Sequence, residues 1–279
     1  MTPQALLHEG KPEAALVALQ EAVRKDAANP THRVFLFQLL CVLGQWNRAL
    51  TQLNVVGELD AGTLPMVQTY REAIQCEGLR GDIFKGARAP LIFGEPQPWL
   101  VLLIEALKAD AAGDNGRAAL MRDEAFGQAS AVAGSIDSQP FAWLADADGR
   151  LGPVLEAIVN GRYFWIPFER ISRIELDPPA DLRDRVWTPA TFTWANGAQT
   201  VGLIPTRYEG TTSGLDPDPA LLLARRTEWG GADAAFGVGQ RMFVTDQGEH
   251  ALMDVRLIEF HAMAGAEAQA TSEAGAAHG

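Results

Sequence analysis

Apolar residues in the first 135 positions recur every three to four residues, the spacing of one buried helical face. Two stretches repeat each other. In GKPEAALVAL (10–19) and GQWNRALTQL (44–53), Gly10 matches Gly44, Ala15 matches Ala49, Leu16 matches Leu50 and Leu19 matches Leu53, an offset of 34 residues. Each glycine lets the chain turn between antiparallel helices, and each alanine lets the next helix approach closely. Asn29-Pro30 supplies an N-cap and a first-turn proline for the helix THRVFLFQLLCVLG. A weaker third copy lies in LIEALKADAAGDNGRAALMRDEAF, where Gly113 and Ala118 keep the five-residue spacing and Ala125 follows. Residues 62–85 read as a further helix. Pro90, Pro96 and Pro98 make ARAPLIFGEPQPW a connection.

A period of 34 residues is that of tetratricopeptide units, so residues 1–135 are expected to form a tetratricopeptide-like helical domain. From 136 to 262 the pattern changes to short runs rich in β-branched and aromatic residues, such as RYFWIPF, RISRIEL and RVWTPATFTW, with Asn-Gly, Pro-Pro, Asp-Pro and Gly-Gly between them. This predicts a mainly antiparallel β domain, with a hairpin turning at Asn196-Gly197. GPVLEAIVN (152–160) reads as a small helical insertion and YEGTTSGLDPDPA as a loop. The fold class is α+β. The Ala/Gly-rich segment 263–279 is expected to be a disordered tail.

Composition narrows the function. The net charge of −12 opposes a nucleic-acid role. The segment MTPQALLHEGKPEAAL lacks the pattern of a signal peptide, and no apolar run is long enough to span a membrane, so a cytoplasmic protein is expected. Cys41 and Cys76 sit in apolar helical contexts and read as reduced core thiols. The five histidines are scattered, and phosphate-loop, HExxH, GxSxG and dinucleotide-loop patterns are all missing. Neither a metal nor a cofactor is implied, and no enzyme is expected.

The one catalytic-looking string is LADADGR (144–150). An apolar run followed by Asp-x-Asp-Gly opens the nucleophile loop of haloacid-dehalogenase-like phosphatases, which would make Asp146 a magnesium-dependent nucleophile. No lysine follows Lys108, no acidic pair follows Asp146, and the sheet reads as antiparallel, so this alternative is remote. An EF-hand register places Leu144 and Leu155 where carboxylates must be. The favoured reading is a turn in which Asp146 and Asp148 accept backbone or arginine hydrogen bonds, Gly149 supplies a permissive φ and Arg150 pairs with an aspartate.

Further strings carry a resemblance. GEPQPWL (94–100), PFAWLADADGRLGPVLEAIVNGRYFWIPF (140–168), PPADLRDRVWTPA (178–190), IPTRYEG (204–210), ARRTEW (224–229) and GQRMFVTD (239–246), in that order, resemble the ImpE/TagJ family of SciE-type virulence proteins. These are accessory components of bacterial type VI secretion systems. The resemblance implies a cytoplasmic, non-enzymatic adaptor that contacts the small contractile-sheath subunit (TssB/VipA type) through an amphipathic helix of that subunit, and so links to the ClpV-type ATPase. A generic tetratricopeptide scaffold with another client is the alternative.

Candidate partner-binding or domain-junction residues are Glu95, Trp99, Asp146, Asp148, Arg150, Arg183, Arg207, Tyr208, Gln240 and Arg241. Trp99 is expected to wedge the two halves together. Arg183, with Asp184 and Arg185, reads as a solvated or paired cluster, and the Arg207-Tyr208 and Gln240-Arg241 pairs as interior hydrogen-bonding groups. Phe141, Trp143, Tyr163, Trp165 and Phe168 are expected on a core-facing sheet surface.

Overall fold

The computed structural model describes residues 1–214, 217–231 and 235–261. The expected tail, 263–279, lies outside them.

Seven helices precede most of the sheet: α1 (Pro3–His8), α2 (Pro12–Lys25), α3 (Pro30–Val42), α4 (Trp46–Leu59), α5 (Leu64–Phe84), α6 (Pro98–Ala111) and α7 (Asn115–Gln128). The repeat positions behave as their chemistry requires. Gly10, Gly44 and Gly113 have φ of 75°, 68° and 79° at the three inter-helix turns. Ala15, Ala49, Ala118 and Ala125 are fully buried, so any larger side chain would push neighbouring helices apart. The Asn29 side chain accepts hydrogen bonds from the amides of Thr31 and His32 and starts α3.

The connection between α5 and α6 contains a short strand, β1 (Leu91–Ile92). There follow β2 (Gly134–Ile136), β3 (Gln139–Phe141), β4 (Leu144–Asp146), β5 (Val154–Val159), β6 (Arg162–Pro167), β7 (Ile171–Leu176), β8 (Trp187–Trp194), β9 (Gln199–Pro205), a short helix α8 (Pro219–Leu222), β10 (Thr227–Gly230), β11 (Phe236–Gly239), β12 (Met242–Thr245), β13 (Gly248–Ala251) and β14 (Leu257–Phe260). Nine strands form one sheet in the order β1-β6-β5-β9-β8-β7-β14-β2-β3. All its pairings are antiparallel except β1 with β6. The β8–β9 hairpin turns at Asn196-Gly197, where Gly197 has φ 81°. A smaller antiparallel sheet runs β13-β12-β4, and β10 pairs with β11.

The helix expected at 152–160 is instead β5. All six of its residues are buried, because β6 and β9 flank it and a core lies on each face. Val154 and Ile158 join the apolar cluster shared with the helices, which includes Leu39, Trp99 and Trp165. Leu155, Ala157 and Val159 join the opposite cluster, with Phe168, Phe192 and Ile258. A strand buried on both faces loses the alternation that identifies a strand in sequence. Glu156 therefore stands on the helix-facing side, between two apolar neighbours of the same face. Four of the five aromatics expected on core faces are buried, but Trp143 is 38% exposed because it lies in the bend between β3 and β4.

Candidate functional site

The LADADGR turn, the IPTRYEG and GQRMF strings and helix α5 converge at the junction between helices and sheet. Glu156 is completely buried and would carry an uncompensated charge there if it were alone. Arg80, from the inward face of α5, donates Nε to Oε1 at 2.6 Å and Nη2 to Oε2 at 3.0 Å. Tyr163 on β6 donates its hydroxyl to Oε1 at 2.5 Å and accepts Nε1 of Trp165 at 2.9 Å. Arg241 donates Nη2 to Glu156 Oε2 and Nη1 to Asp146 Oδ2, while its Nε reaches the Pro205 carbonyl at 2.9 Å. One guanidinium thus bridges two buried carboxylates in the fork geometry that suits arginine.

The rest of the cluster extends this pair. Asp146 Oδ1 accepts the Tyr208 hydroxyl at 3.0 Å and the Asp148 amide at 2.9 Å. Asp148 accepts the Arg150 amide, its Nε and its Nη2 at 2.8, 2.9 and 2.6 Å, and the Gly237 amide at 2.9 Å. Arg150 therefore pairs with Asp148 and leaves Asp146 to Arg241. Gly149 is not in the positive-φ region; its role is space, since a Cβ would lie 3.2 Å from both Cβ and O of Ala235. The left-handed residue of this turn is Gly152, with φ 54°. Arg207 donates to the Val42, Leu222 and Cys41 carbonyls at 2.7, 2.6 and 3.2 Å. It thereby neutralises the carbonyl ends of both α3 and α8. Gln240 pairs with Arg207 through backbone and accepts the Met253 amide at 3.1 Å.

Electrostatics follow from these contacts. Burial works against the Glu156 carboxylate, but Arg80 and Arg241, together with the Arg80 and Tyr163 hydrogen bonds, hold it down to about 2. Asp146 is pushed up to about 6, because burial and the neighbouring Asp148 and Glu156 outweigh Arg241 and the Asp148 amide. Among the described residues Arg207 has no carboxylate in contact, and burial lowers it to about 10.

Seven of the ten sequence-derived candidates meet here: Asp146, Asp148, Arg150, Arg207, Tyr208, Gln240 and Arg241. Trp99 is buried in the core shared by helices and sheet, with Nε1 donating to Gln97 Oε1 at 2.6 Å. Glu95 is exposed in the β1–α6 connection. Arg183 lies away from the cluster, paired with Asp181 and stacked 4.8 Å over the Tyr70 ring. Sequence reading missed Arg80 and Glu156. Each was detectable as a charge inside an apolar pattern: Arg80 in the Ala73–Cys76–Ile83 stripe of α5, and Glu156 within VLEAIV.

The phosphatase reading of Asp146 is overturned. The residue ends β4, which is antiparallel to β12, and both its oxygens are held by Arg241, Tyr208 and backbone. No group of metal-ligating side chains occurs among the described residues. Beside the sealed cluster lies a cleft of about 260 Å³, bordered by Glu77, Arg80, Lys85, Arg207, Glu209 and Thr211 among others.

Fold and junction together define a tetratricopeptide-type helical protein with an antiparallel sheet locked onto its helices by internal ion pairs. Residues 6–74 match the tetratricopeptide repeat, and residues 138–259 match the ImpE protein family. Over 260 residues the chain is 53% identical to the type VI secretion system accessory component TagJ of Pseudomonas aeruginosa, covering 93% of this chain and 91% of that protein. The chain belongs to the ImpE/TagJ family. The crystal structure of protein VPA1032 from Vibrio parahaemolyticus has the same fold, with a TM-score of 0.84 at 22% identity, covering 94% of this chain and 98% of that one.

Proposed function

We propose that the protein is a non-enzymatic accessory component of a bacterial type VI secretion system that binds the small contractile-sheath subunit in the cytoplasm. Its contact is an amphipathic helix of that subunit, and through it the protein modulates sheath handling by the ClpV-type ATPase. The observation that carries this reading is the 53% identity to the accessory component TagJ across nearly the whole chain. Helical repeats supply the physical means, since they offer grooves between helices in which a partner helix lays its apolar face. The junction supports a binding role from the other side: the groups that resemble catalytic ones spend their hydrogen bonds on each other.

The test is retrieval of the tagged protein from its own bacterium. The small sheath subunit is expected to come with it, and to be lost when that subunit's N-terminal helix is deleted. Retrieval of the same complexes regardless of the deletion would contradict the helix contact. Absence of any sheath subunit would contradict the function.

A further inference from the structure

A pocket of about 390 Å³ opens between the C-terminal end of α7 and strand β4, lined by Phe126, Trp143, Ala145, Pro153 and Val244 among others. Phe126 and Trp143 are 37% and 38% exposed, although both are large and apolar. The pairing of β4 with β12 explains the grouping. Ala145 stands directly across from Val244, so both side chains leave the same face of the small sheet, and Trp143, two positions before Ala145, leaves it too. Aromatic side chains grouped on an open surface mark a contact site.

One wall of the pocket is an open strand edge. The amide of Asp146 points away from β12, to the Gly152 carbonyl at 2.7 Å, whereas Ala147 turns its amide to the Met242 carbonyl of β12 at 3.0 Å. Alternation along a strand therefore turns the amide and carbonyl of Leu144 outward, on the side of the Asp146 amide. Neither group has a hydrogen-bond partner among the described residues, and Leu144 lines the pocket. An unpaired N–H and C=O beside apolar side chains fit an extended backbone, which can exchange two hydrogen bonds with Leu144. A helix has no backbone groups to offer sideways.

Charge defines the rim. Glu249 lies directly across from Val244 and is exposed on the pocket's face. Asp246 accepts the amide of Ala142, the residue before Trp143, at 2.7 Å. Asp123 stands one turn before Phe126 on α7, and both aspartates are exposed. Asp146, the charged residue of the lining, is acidic too. The arginines nearest in sequence to this rim are spent: buried Arg122 pairs with Asp110 at 2.5 Å, and Arg150 with Asp148 at 2.6 Å. Among the described residues no lysine or arginine lines the pocket.

We propose that this pocket docks an extended segment of a partner protein that carries two apolar side chains two positions apart and a lysine or arginine next to them. The residue between the two pairs with Leu144, the apolar side chains cover Phe126, Trp143 and Val244, and the cation meets the acidic rim. This is a second contact and does not depend on the partner helix proposed above.

The experiment is selection of random phage-displayed decapeptides on the immobilised full chain, followed by calorimetric titration of the enriched sequences as synthetic peptides. Enrichment of apolar residues two positions apart beside lysine or arginine is expected. N-methylation of the amide of the residue between them should weaken binding about tenfold. Trp143→Ser and Phe126→Ser, exposed positions on separate elements, should each weaken it about tenfold with an unchanged melting temperature; if one does not fold, the other decides. Glu249→Lys should weaken binding about threefold to tenfold, an effect that shrinks in high salt. The proposal is overturned by a selection that enriches nothing above background, by acidic or helix-forming sequences, or by peptides that bind both serine variants as well as the wild type. It is also overturned if the free chain is a dimer that Trp143→Ser separates, which gives the patch to a second copy. Peptide binding that appears only after deletion of residues 262–279 overturns it too, since the patch then belongs to this chain's own terminal segment.

Discussion

Arg80 of α5 and Glu156 of β5, 76 residues apart, meet through two hydrogen bonds of 2.6 and 3.0 Å in the interior of the protein. The contact crosses from helices to sheet. Arg80 also donates Nη2 to the Arg207 carbonyl at 2.8 Å, which ties α5 to the segment after β9. Trp187 on β8 donates to Glu77, one turn before Arg80 on α5, at 2.9 Å. Helical repeats ordinarily contact only their neighbours; here a set of directional polar contacts fixes how the sheet sits on them.

Arg241 serves both Asp146 and Glu156. Replacing it by methionine fills much of the volume but leaves two buried carboxylates short of a cation. A loss of about 3–5 kcal/mol in urea-induced unfolding is expected. A loss below about 1 kcal/mol would show that the pair adds little to stability.

Acid titration separates the two carboxylates. Glu156 is held at about 2, below its ordinary 4.5. Its stabilising contribution is therefore complete above about 4.5 and disappears as pH falls toward 2. The stability gap between wild type and Glu156→Gln should narrow over that interval. Asp146 has the opposite sign: it rises from 3.8 to about 6. The native state holds a proton there that the unfolded chain releases, so this group's contribution declines as pH rises from about 4 to about 6. Asp146→Asn should abolish that decline. Unfolding measured at intervals from pH 2 to 7 checks both slopes.

Two glycines should respond in opposite directions to alanine. At Gly134 a Cβ would stand 2.0 Å from the Glu259 carbonyl oxygen of the paired strand β14. The strands must separate to admit it, and Gly134→Ala should cost about 2–3 kcal/mol. Gly127, near the end of α7, has nothing within 4 Å of a Cβ and no positive φ. Gly127→Ala should stabilise by about 0.4–1 kcal/mol through the unfolded chain. Thermal melts of the two variants decide it.

Arg207 offers a test that geometry alone motivates. Its Nη1 bridges the Val42 and Leu222 carbonyls, the ends of α3 and α8. Arg207→Lys keeps a cation but loses the planar fork. Faster amide exchange at the α3 C-terminus and in α8, with the α6–α7 hairpin unchanged, is the expected result. Uniform exchange across the protein would contradict a local capping role.

The helical half was legible because its periodicity is local: the 34-residue offset, the turn glycines and the buried alanines all reappear in the structure. The Asn196-Gly197 hairpin was legible for the same reason. The sheet's central strand was not. VLEAIV has an apolar residue on each face and good helix formers at Leu155, Glu156 and Ala157, so neither period nor propensity identifies it. Misreading β5 also concealed Glu156, and with it the need for a buried cation. Asp146 and Arg241 were recognised as polar groups of interest, but their pairing across 95 residues depends on β4 lying against β12. The role of Gly149 was misplaced because φ is set by the closed turn, where Gly152 takes the left-handed position.

We propose that this chain acts by binding the small sheath subunit. Calorimetric titration of this purified protein with the purified intact subunit tests that binding most directly. Saturable binding with a defined stoichiometry, weakened by truncation of the subunit's N-terminal helix, is the predicted result. Absence of heat and of any co-migrating complex at high concentrations of both proteins would contradict it.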